Sequence, residues 1–192
     1  MQLPNFSSEE ACETASSFIF VYTSSVKNAR LEKFIGEMVG IDQRARKLAT
    51  PYKKGLENLL VYTIDGIHNR YIHRIIDEYG YPTQRMIGRE GMKKFWLLVQ
   101  HQDSDIALQK ACLKKCDFAP KEKVYLTDRV LVNSGEKQRY GTQLKRVKEK
   151  RLTPRPIAEK SEVDARRKRA GLGTLESYIR LANQQFGKKI IK

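Results

Sequence analysis

The sequence has no long hydrophobic run. The apolar stretch nearest the N-terminus, Phe18 to Tyr22, covers only five residues, and no basic segment precedes it. A membrane-spanning helix needs ~20 apolar residues, and the core of a secretory signal needs at least ~7. The sequence therefore predicts a cytoplasmic protein without a transmembrane segment, and leaves open only export by a route that uses no such signal.

Cysteine is also scarce. The three cysteines, Cys12, Cys112 and Cys116, are odd in number and lack the spacing of a disulfide framework, which favours a reducing compartment. Cys112 and Cys116 are four residues apart and share one face of a helix. Since no histidine or further cysteine follows at a zinc-ligand spacing, we interpret them as small buried hydrophobic residues and predict no metal site from them.

The motifs of the easily named enzyme classes are missing. The chain contains no HExxH, no GxxxxGK, no GxGxxG after a strand, no GxSxG and no zinc-finger spacing. These absences exclude the zinc proteases, P-loop nucleotidases, dinucleotide-binding enzymes and serine hydrolases that such motifs define. They leave any cofactor unknown.

Acidic residues are few relative to basic ones. The chain has 37 Lys and Arg against 22 Asp and Glu, a formal net charge of +15. Residues 144–192 contain 15 basic and five acidic side chains and so carry +10 of that charge. Such a field favours nucleic acid, phosphorylated ligands or an anionic membrane surface. The alternative is a solvated basic face that binds no specific partner.

What is present is the pattern of a single, mainly α-helical domain, because 192 residues fit one domain and apolar residues recur at helical spacing. We predict an N-terminal helical extension over residues 1–27, a domain over residues 28–180 and a basic tail over residues 181–192. Helices are predicted over residues 28–50, 54–79, 104–115, 161–169 and 174–186, with a central buried helix through Phe95–Val99 whose start lies near Gly88 and Gly91. A small β element or hairpin is expected around residues 124–147, and Thr153–Pro156 reads as an extended linker.

One stretch, Leu126 to Gln143, holds more polar chemistry than a surface loop needs. Asp128 and Arg129 precede a turn at Asn133–Gly135, and polar residues follow it. Adjacent side chains diverge on a helix or strand, so Asp128 and Arg129 each need a separate partner if buried. We predict a polar pocket in which Arg129 binds an anion and the following residues contact substrate, namely Gln138, Tyr140, Thr142 and Gln143. The alternative is a turn whose side chains satisfy neighbouring backbone groups.

Gln100 and His101 follow directly on the most apolar segment. A histidine at the inner end of a core helix is either held by a buried hydrogen bond or available for acid–base chemistry, for which its near-neutral pKa is suited. Asp103 and Asp128 are the candidates to orient His101. Upstream, Asp42 and Arg46 are four residues apart, as are Asp65 and Asn69, so each pair lies on one helix face. These pairs are either solvent-facing or the opposite wall of the pocket.

Taken in order, the motifs resemble those of an uncharacterised bacterial family, a domain of unknown function with QH, LTDR and YGTQ signatures. The residues that carry the resemblance are Asp42-Gln43, Arg46, Asp65, Asn69, Tyr79–Thr83, Gly88, Trp96–His101, Gln109, Leu126–Val130, Gln138–Gln143, Val163–Arg167 and Gly171-Leu172. The resemblance covers about Leu31 to Tyr178 and implies no activity. It implies that Gln100, His101, Asp128, Arg129, Gln138, Tyr140, Thr142, Gln143 and Arg167 belong to one shared feature. An acidic residue expected soon after Pro156-Ile157 appears here as Ala158-Glu159, which leaves the role of that carboxylate open.

Three hypotheses follow. The first is an enzyme acting on a phosphate-bearing or otherwise anionic substrate, with His101 as general acid or base, Asp128 as its orienting partner, and Arg129 with Arg167 as the anion clamp. The second is a non-catalytic nucleic-acid-binding module that uses the basic C-terminal face. The third is a protein-interaction domain in which the polar motifs form a buried structural network.

Overall fold

Helices dominate the part of the chain that the computed structural model describes, residues 27–49, 56–147 and 151–187. These residues form α1 (Ala29–Leu48), α2 (Leu56–Tyr79), α3 (Gln84–Gln100), α4 (Ile106–Lys115), α5 (Pro120–Asn133), β1 (Leu144–Arg146), β2 (Leu152–Pro154), α6 (Val163–Arg169) and α7 (Leu175–Gly187). A single 3-10 turn, Lys160–Glu162, precedes α6. The predicted mainly α fold is confirmed. The predicted N-terminal helix lies outside the described residues.

Short polar side chains set the beginnings of three helices. Asn28 accepts a hydrogen bond from the Leu31 amide at 2.9 Å, and Asp105 accepts one from the Leu108 amide at 2.9 Å. Thr83 accepts one from the Met86 amide at 3.2 Å. Each cap satisfies an N–H group that has no partner within its own helix, which stabilises the helix by about 1 kcal/mol.

The core lies around α3. Helix α1 packs along α3 and α2 lies against α1, while α4 and α5 pack against each other and both contact α3. Phe95, Leu98 and Val99 of α3 are completely buried, as predicted for the central helix. Cys112 and Cys116 are buried in the same core and unpaired. None of the described helices combines the length and apolarity that crossing a membrane requires.

Helix α3 begins earlier than Gly88 and Gly91 indicate. It starts at Gln84 and is kinked at Gly88, which has a φ of 71° and a ψ of 170°. That backbone conformation is open to glycine at little cost, so the residue allows the chain to bend without ending the element. Gly91 has another role, since a Cβ there would lie 2.9 Å from the Cβ of Ile87.

The β element is smaller and later than predicted. Residues 120–133 are helical, so the first part of the expected β range, residues 124–133, belongs to α5, which starts with Pro120 in its first turn. Strand β1 lies within the expected range, but its antiparallel partner β2 lies in the segment interpreted as a linker, with Leu144 opposite Pro154 and Arg146 opposite Leu152. Proline cannot donate to a ladder, yet it is tolerated at the end of an edge strand. The side chain of Asn183 on α7 holds β2 by accepting from the Leu152 amide at 2.8 Å.

Asp128 organises the segment between α5 and the hairpin. Its carboxylate is fully buried and accepts hydrogen bonds from the amides of Arg139 (2.8 Å), Tyr140 (3.0 Å) and Thr142 (2.9 Å) and from the Thr142 hydroxyl (2.9 Å). Gln138 closes the same turn, since its side chain accepts from the Gln143 amide at 2.8 Å and donates to the Gln143 carbonyl at 2.9 Å. The LTDR and YGTQ stretches are therefore joined by a carboxylate that folds the backbone around itself.

Two buried arginines attach α6 to this turn. Arg166 donates to the carbonyls of Arg139 (2.9 Å) and Ala158 (2.5 Å). Arg167 donates to the carbonyls of Tyr140 (2.6 Å) and Gly173 (2.7 Å), and its guanidinium lies 5.1 Å from the ring centre of Tyr178. Gly141, with a φ of 72°, leaves no space for a side chain, because a Cβ there would lie 2.6 Å from Leu175.

Replacing Asp128 by asparagine is expected to destabilise the fold strongly. The substitution keeps the volume but removes the charge and turns an NH2 group toward backbone donors, so the expected loss in free energy of unfolding is about 3–5 kcal/mol. Urea unfolding followed by circular dichroism measures this loss. The matched control is Asp77→Asn on the exposed face of α2, for which we expect almost no change. Equal midpoints for the two variants would contradict the organising role of Asp128.

Candidate functional site

An arginine joins α1 to α2 through two carboxylates. The Nε of Arg46 donates to Asp42 Oδ1 at 2.8 Å within α1, and its Nη2 donates to Asp65 Oδ1 of α2 at 2.5 Å. Asp42 is buried, with 1% of its surface exposed. Asp42 and Arg46, which have the i, i+4 spacing of a helix pair, thus form one side of a bridge between α1 and α2.

His101 completes the cluster from the end of α3. Its Nδ1 lies 3.0 Å from Asp42 Oδ1, and Gln43 donates to the other carboxylate oxygen at 2.7 Å. Because an ionised carboxylate only accepts, Nδ1 carries the proton of the neutral ring, and Nε2 is left as the basic nitrogen. His101 therefore has the oriented tautomer that a general base requires. Asp42 provides this orientation, and the prediction that Asp128 does so is wrong because the Asp128 oxygens are occupied by backbone amides.

This cluster faces a cleft of about 500 Å³. Its walls include Arg46, Tyr62, Asp65, His101, Asp103 and Arg129. A cavity of this volume accommodates a small-molecule ligand, since ligand sites commonly measure ~300–1,000 Å³. The cleft brings together Arg46 of α1, Asp65 of α2, His101 at the end of α3 and Arg129 of α5.

Asp103 orients Arg129 at the wall of the cleft. Its Nε and Nη2 donate to the two oxygens of Asp103, both at 2.6 Å, and Asn133 donates to Asp103 at 2.7 Å. The paired geometry uses two of the five guanidinium N–H groups, so the same side chain can also donate to a ligand. The sequence analysis predicted that Arg129 binds an anion, and within the protein that partner is Asp103, a residue predicted there as a candidate to orient His101.

The environments of Asp42 and Asp65 differ. Burial alone would raise the pKa of Asp42, but the hydrogen bond and charge of His101, with help from Arg46, lower it below the ordinary value. At Asp65, burial raises the pKa and Arg46 offsets only part of that rise. Carboxyl groups whose pKa values are pushed apart are typical of acid–base sites, although structural ion-pair networks also produce such shifts.

Asn69 belongs to a neighbouring contact and not to the cleft wall. Its side chain donates to Asp105 Oδ2 at 3.0 Å, and His73 Nε2 lies 2.8 Å from the same oxygen. Asp105 also caps α4. The expectation that Asn69 faces the cleft beside Asp65 is therefore corrected: it connects α2 to the start of α4.

The predicted substrate contacts from Gln138 to Gln143, together with Arg167, lie in the fold around Asp128. Gln138, Thr142 and Gln143 make the backbone contacts of that turn, and the Tyr140 carbonyl accepts from Arg167. Arg167 is buried and donates to two carbonyls, so it is not placed to form an anion clamp with Arg129. The Gln100 carbonyl accepts from Gln109 at 3.3 Å. The polar site that the sequence predicted as one pocket thus consists of two separate networks. The network around Asp128 is buried within the fold, and the network around Asp42 lines the cleft.

Within the described residues, one cluster has the donor atoms of a metal site. Asp42, Asp65 and His101 each offer one ligand atom, and these atoms all lie within 4.8 Å of one another. Two carboxylates and an imidazole suit a divalent first-row metal. However, Arg46 already donates to both carboxylates, so a metal ion would have to displace its guanidinium.

Comparison with known proteins identifies the family. Residues 37–191 match the model of DUF6624, a family of unknown function, and the chain belongs to that family. The match covers α1 from Glu37 onward and all later described elements. No curated protein and no solved structure matches the chain.

Removing the charge of Asp42 is expected to reduce stability in a pH-dependent way. At pH 7, Asp42→Asn weakens the contacts with Arg46 and His101, and we expect a loss of about 3 kcal/mol in free energy of unfolding. Because the folded pKa of Asp42 lies below its ordinary value of 3.8, its contribution is present above that pH and is lost as the pH falls further. The difference in free energy of unfolding between wild type and Asp42→Asn should therefore become smaller below pH 3.8.

Chemical unfolding at several pH values between 7 and 3 checks this expectation. Glu37→Gln on the same helix is the control, because its side chain is 59% exposed and pairs only loosely with Lys33. That variant should stay within about 0.5 kcal/mol of wild type. A difference for Asp42→Asn that stays constant with pH would show that the carboxylate charge is not what stabilises the cluster.

Proposed function

We propose that this member of the DUF6624 family is an enzyme that performs acid–base chemistry on a small phosphate- or carboxylate-bearing substrate bound in the cleft. The observation that carries the proposal is the contact between His101 Nδ1 and the buried Asp42, at the edge of a cleft that two arginines line. The proposal replaces the predicted partner of His101 and keeps its predicted role.

His101 has the position and the tautomer of a general base. Its Nε2 accepts the proton of a water molecule or hydroxyl group as the oxygen attacks the substrate, and the imidazolium formed is stabilised by Asp42. The proton is then returned to the leaving group. Asp65, whose pKa burial raises above its ordinary value, lines the same cleft as a second carboxyl group.

Arginines give the cleft its preference for an anion. Arg129 is oriented by Asp103, and Arg46 by Asp42 and Asp65, so neither side chain loses much conformational freedom when it donates to a ligand. A phosphate or carboxylate group matches the planar donor fork of a guanidinium. Tyr62, which is 75% exposed at the rim, offers a surface for an apolar or ring portion of the same ligand.

Ligand-dependent thermal unfolding tests the binding half of the proposal. Wild type is screened against inorganic phosphate, phosphomonoesters, nucleotides and short carboxylates, together with Arg129→Gln and the exposed control Arg155→Gln. A ligand at 100 times its Kd stabilises the folded state by about 2.7 kcal/mol, and the resulting shift in Tm should be lost in Arg129→Gln and retained in Arg155→Gln. A shift that disappears only in Arg155→Gln would move the binding site out of the cleft.

Turnover tests the catalytic half. For a ligand found in that screen, His101→Gln should lower kcat about 10²–10⁴-fold while binding persists, because the base is removed and the arginines remain. The product is followed by chromatography or phosphate release. An unchanged kcat would exclude His101 as the base.

A nucleic-acid-binding module remains the second candidate. It rests on the exposed basic side chains of the hairpin and the segment after it, Lys145, Arg146, Arg151 and Arg155. Burial of Arg166 and Arg167 removes two cations from the predicted basic face. If this candidate is correct, affinity for short RNA or DNA falls steeply with salt and with Arg155→Gln, while His101→Gln leaves it unchanged.

The buried network around Asp128 is what the third hypothesis, a protein-interaction domain, anticipates. Its donors and acceptors account for the residues from Gln138 to Gln143 without any ligand. The protein-interaction hypothesis does not account for the cleft. There, Asp42 orients His101 and Asp103 orients Arg129 at the cleft wall. We therefore favour the enzyme.

A further inference from the structure

A second pocket lies between α3 and α5 and is called the α3–α5 pocket below. It measures about 500 Å³, which is within the range of ligand sites. Arg89, Lys93 and Trp96 form one wall, because positions i, i+4 and i+7 fall on one face of α3. The first turns of α5 contribute Lys121 and Tyr125. Among the described residues, none lines both this pocket and the cleft.

Two aromatic side chains of the α3–α5 pocket have fixed orientations. Trp96 is half-buried, and its Nε1 donates to the Glu122 carbonyl at 2.9 Å. The ring of Tyr125 meets that of Tyr178 on α7 edge to face, with ring centres 6.2 Å apart. Because these contacts orient the rings before a ligand binds, a flat ring can pack against them with little loss of side-chain entropy.

Basic side chains are available around these rings. Arg89, Lys93 and Lys121 are all exposed and line the pocket. Within the part of the chain that the structure describes, no ion pair includes any of the three. Their N–H groups can therefore donate to an anionic ligand without first breaking an internal ion pair.

The same lining contains two carboxylates, Glu90 and Glu122. Glu122 accepts a hydrogen bond from the Ala119 amide at 2.9 Å and so caps α5. Glu90 is exposed next to Arg89 in the sequence. With three basic and two acidic side chains, the pocket favours an anion and retains a carboxylate that accepts hydrogen bonds from a ligand.

A nucleotide combines the features that this lining matches. Its base is a flat ring, and bases pack on aromatic side chains whatever their sequence. Its phosphate is an anion for lysine and arginine. Its base also carries N–H donors, which a glutamate such as Glu90 accepts. A plain aromatic acid lacks those donors, and polyphosphate lacks the ring.

We propose that the α3–α5 pocket binds a nucleotide, either free or as one unit of a single strand. The base packs against Trp96 and Tyr125, and the phosphate binds the exposed basic side chains of the two helices. This site is additional to the cleft and does not depend on the proposed catalytic activity, since it uses neither His101 nor Arg129.

The fluorescence of Trp96, which is the one tryptophan of the chain, tests the proposal. The complete chain is titrated with nucleoside monophosphates, trinucleotides and polyphosphate, and each reading is corrected for absorption by the ligand. We expect a saturable change with a nucleotide. Lys93→Gln should raise the Kd about tenfold, because it removes a charge-assisted contact with the phosphate.

Lys94→Gln is the matched control. It removes the same charge from the next position of α3, but Lys94 lines a groove against α1 and not the α3–α5 pocket, so the Kd should stay unchanged. Arg129→Gln is the control for the cleft and should also leave the Kd unchanged. Circular dichroism reports whether each variant is folded, and Lys121→Gln replaces Lys93→Gln if that variant is not.

A fluorescence change that saturates with a mononucleotide or a trinucleotide, and weakens in Lys93→Gln only, supports the proposal. A trinucleotide that binds at least about tenfold more tightly than a mononucleotide identifies a strand as the source, and similar affinities identify the free nucleotide. The proposal is overturned if no nucleotide alters the fluorescence, if polyphosphate acts equally, or if Lys93→Gln and Lys94→Gln weaken binding equally. A response lost in Arg129→Gln and kept in Lys93→Gln also overturns it, because the nucleotide then binds in the cleft.

Discussion

Two buried carboxylates, Asp42 and Asp128, impose the main constraint on this structure. An ionised carboxylate is stable away from water only when donors converge on it, since an uncompensated buried charge costs several kcal/mol. Asp42 collects its donors from side chains of α1 and α3, while Asp128 collects them from a backbone turn. Each carboxylate therefore fixes how distant parts of the sequence meet.

The two networks differ in what they leave available. Around Asp128 every described donor is directed inward, so the result is a folded turn with α6 attached through Arg166 and Arg167. Around Asp42 the donors are Gln43, Arg46 and His101, and the last two side chains also line a cleft. In the proposed function, a ring nitrogen of His101 and guanidinium N–H groups of Arg46 act on a ligand there. The same physical requirement thus produces a structural centre in one place and a candidate reactive centre in the other.

Local patterns in the sequence were sufficient for most of the helices. The apolar spacing of α1, α2, α4 and α7 reflects interactions within a few residues. The caps at Asn28 and Asp105 that the structure shows are equally local. The hairpin was placed too early because Pro154 suggested a linker, and strand pairing depends on a partner that the local sequence does not show. For the site, the sequence selected His101, Asp42, Arg46, Asp65 and Arg129 as chemically significant. It did not show that they meet, nor that Gln138, Thr142, Gln143 and Arg167 belong elsewhere.

The sequence by itself determined the helical class and the inventory of polar residues that do not suit a surface. Its periodicity is a property of neighbouring residues, and so are the helix caps. Only the tertiary structure decided the partners: His101 and Asp42 are 59 positions apart, and Arg129 and Asp103 are 26 apart. Hydrogen bonds form over about 3 Å of space whatever the separation along the chain. The packing of α1, α2 and α5 around α3 therefore selected which carboxylate orients the histidine, and with it which of the two polar networks faces a cleft.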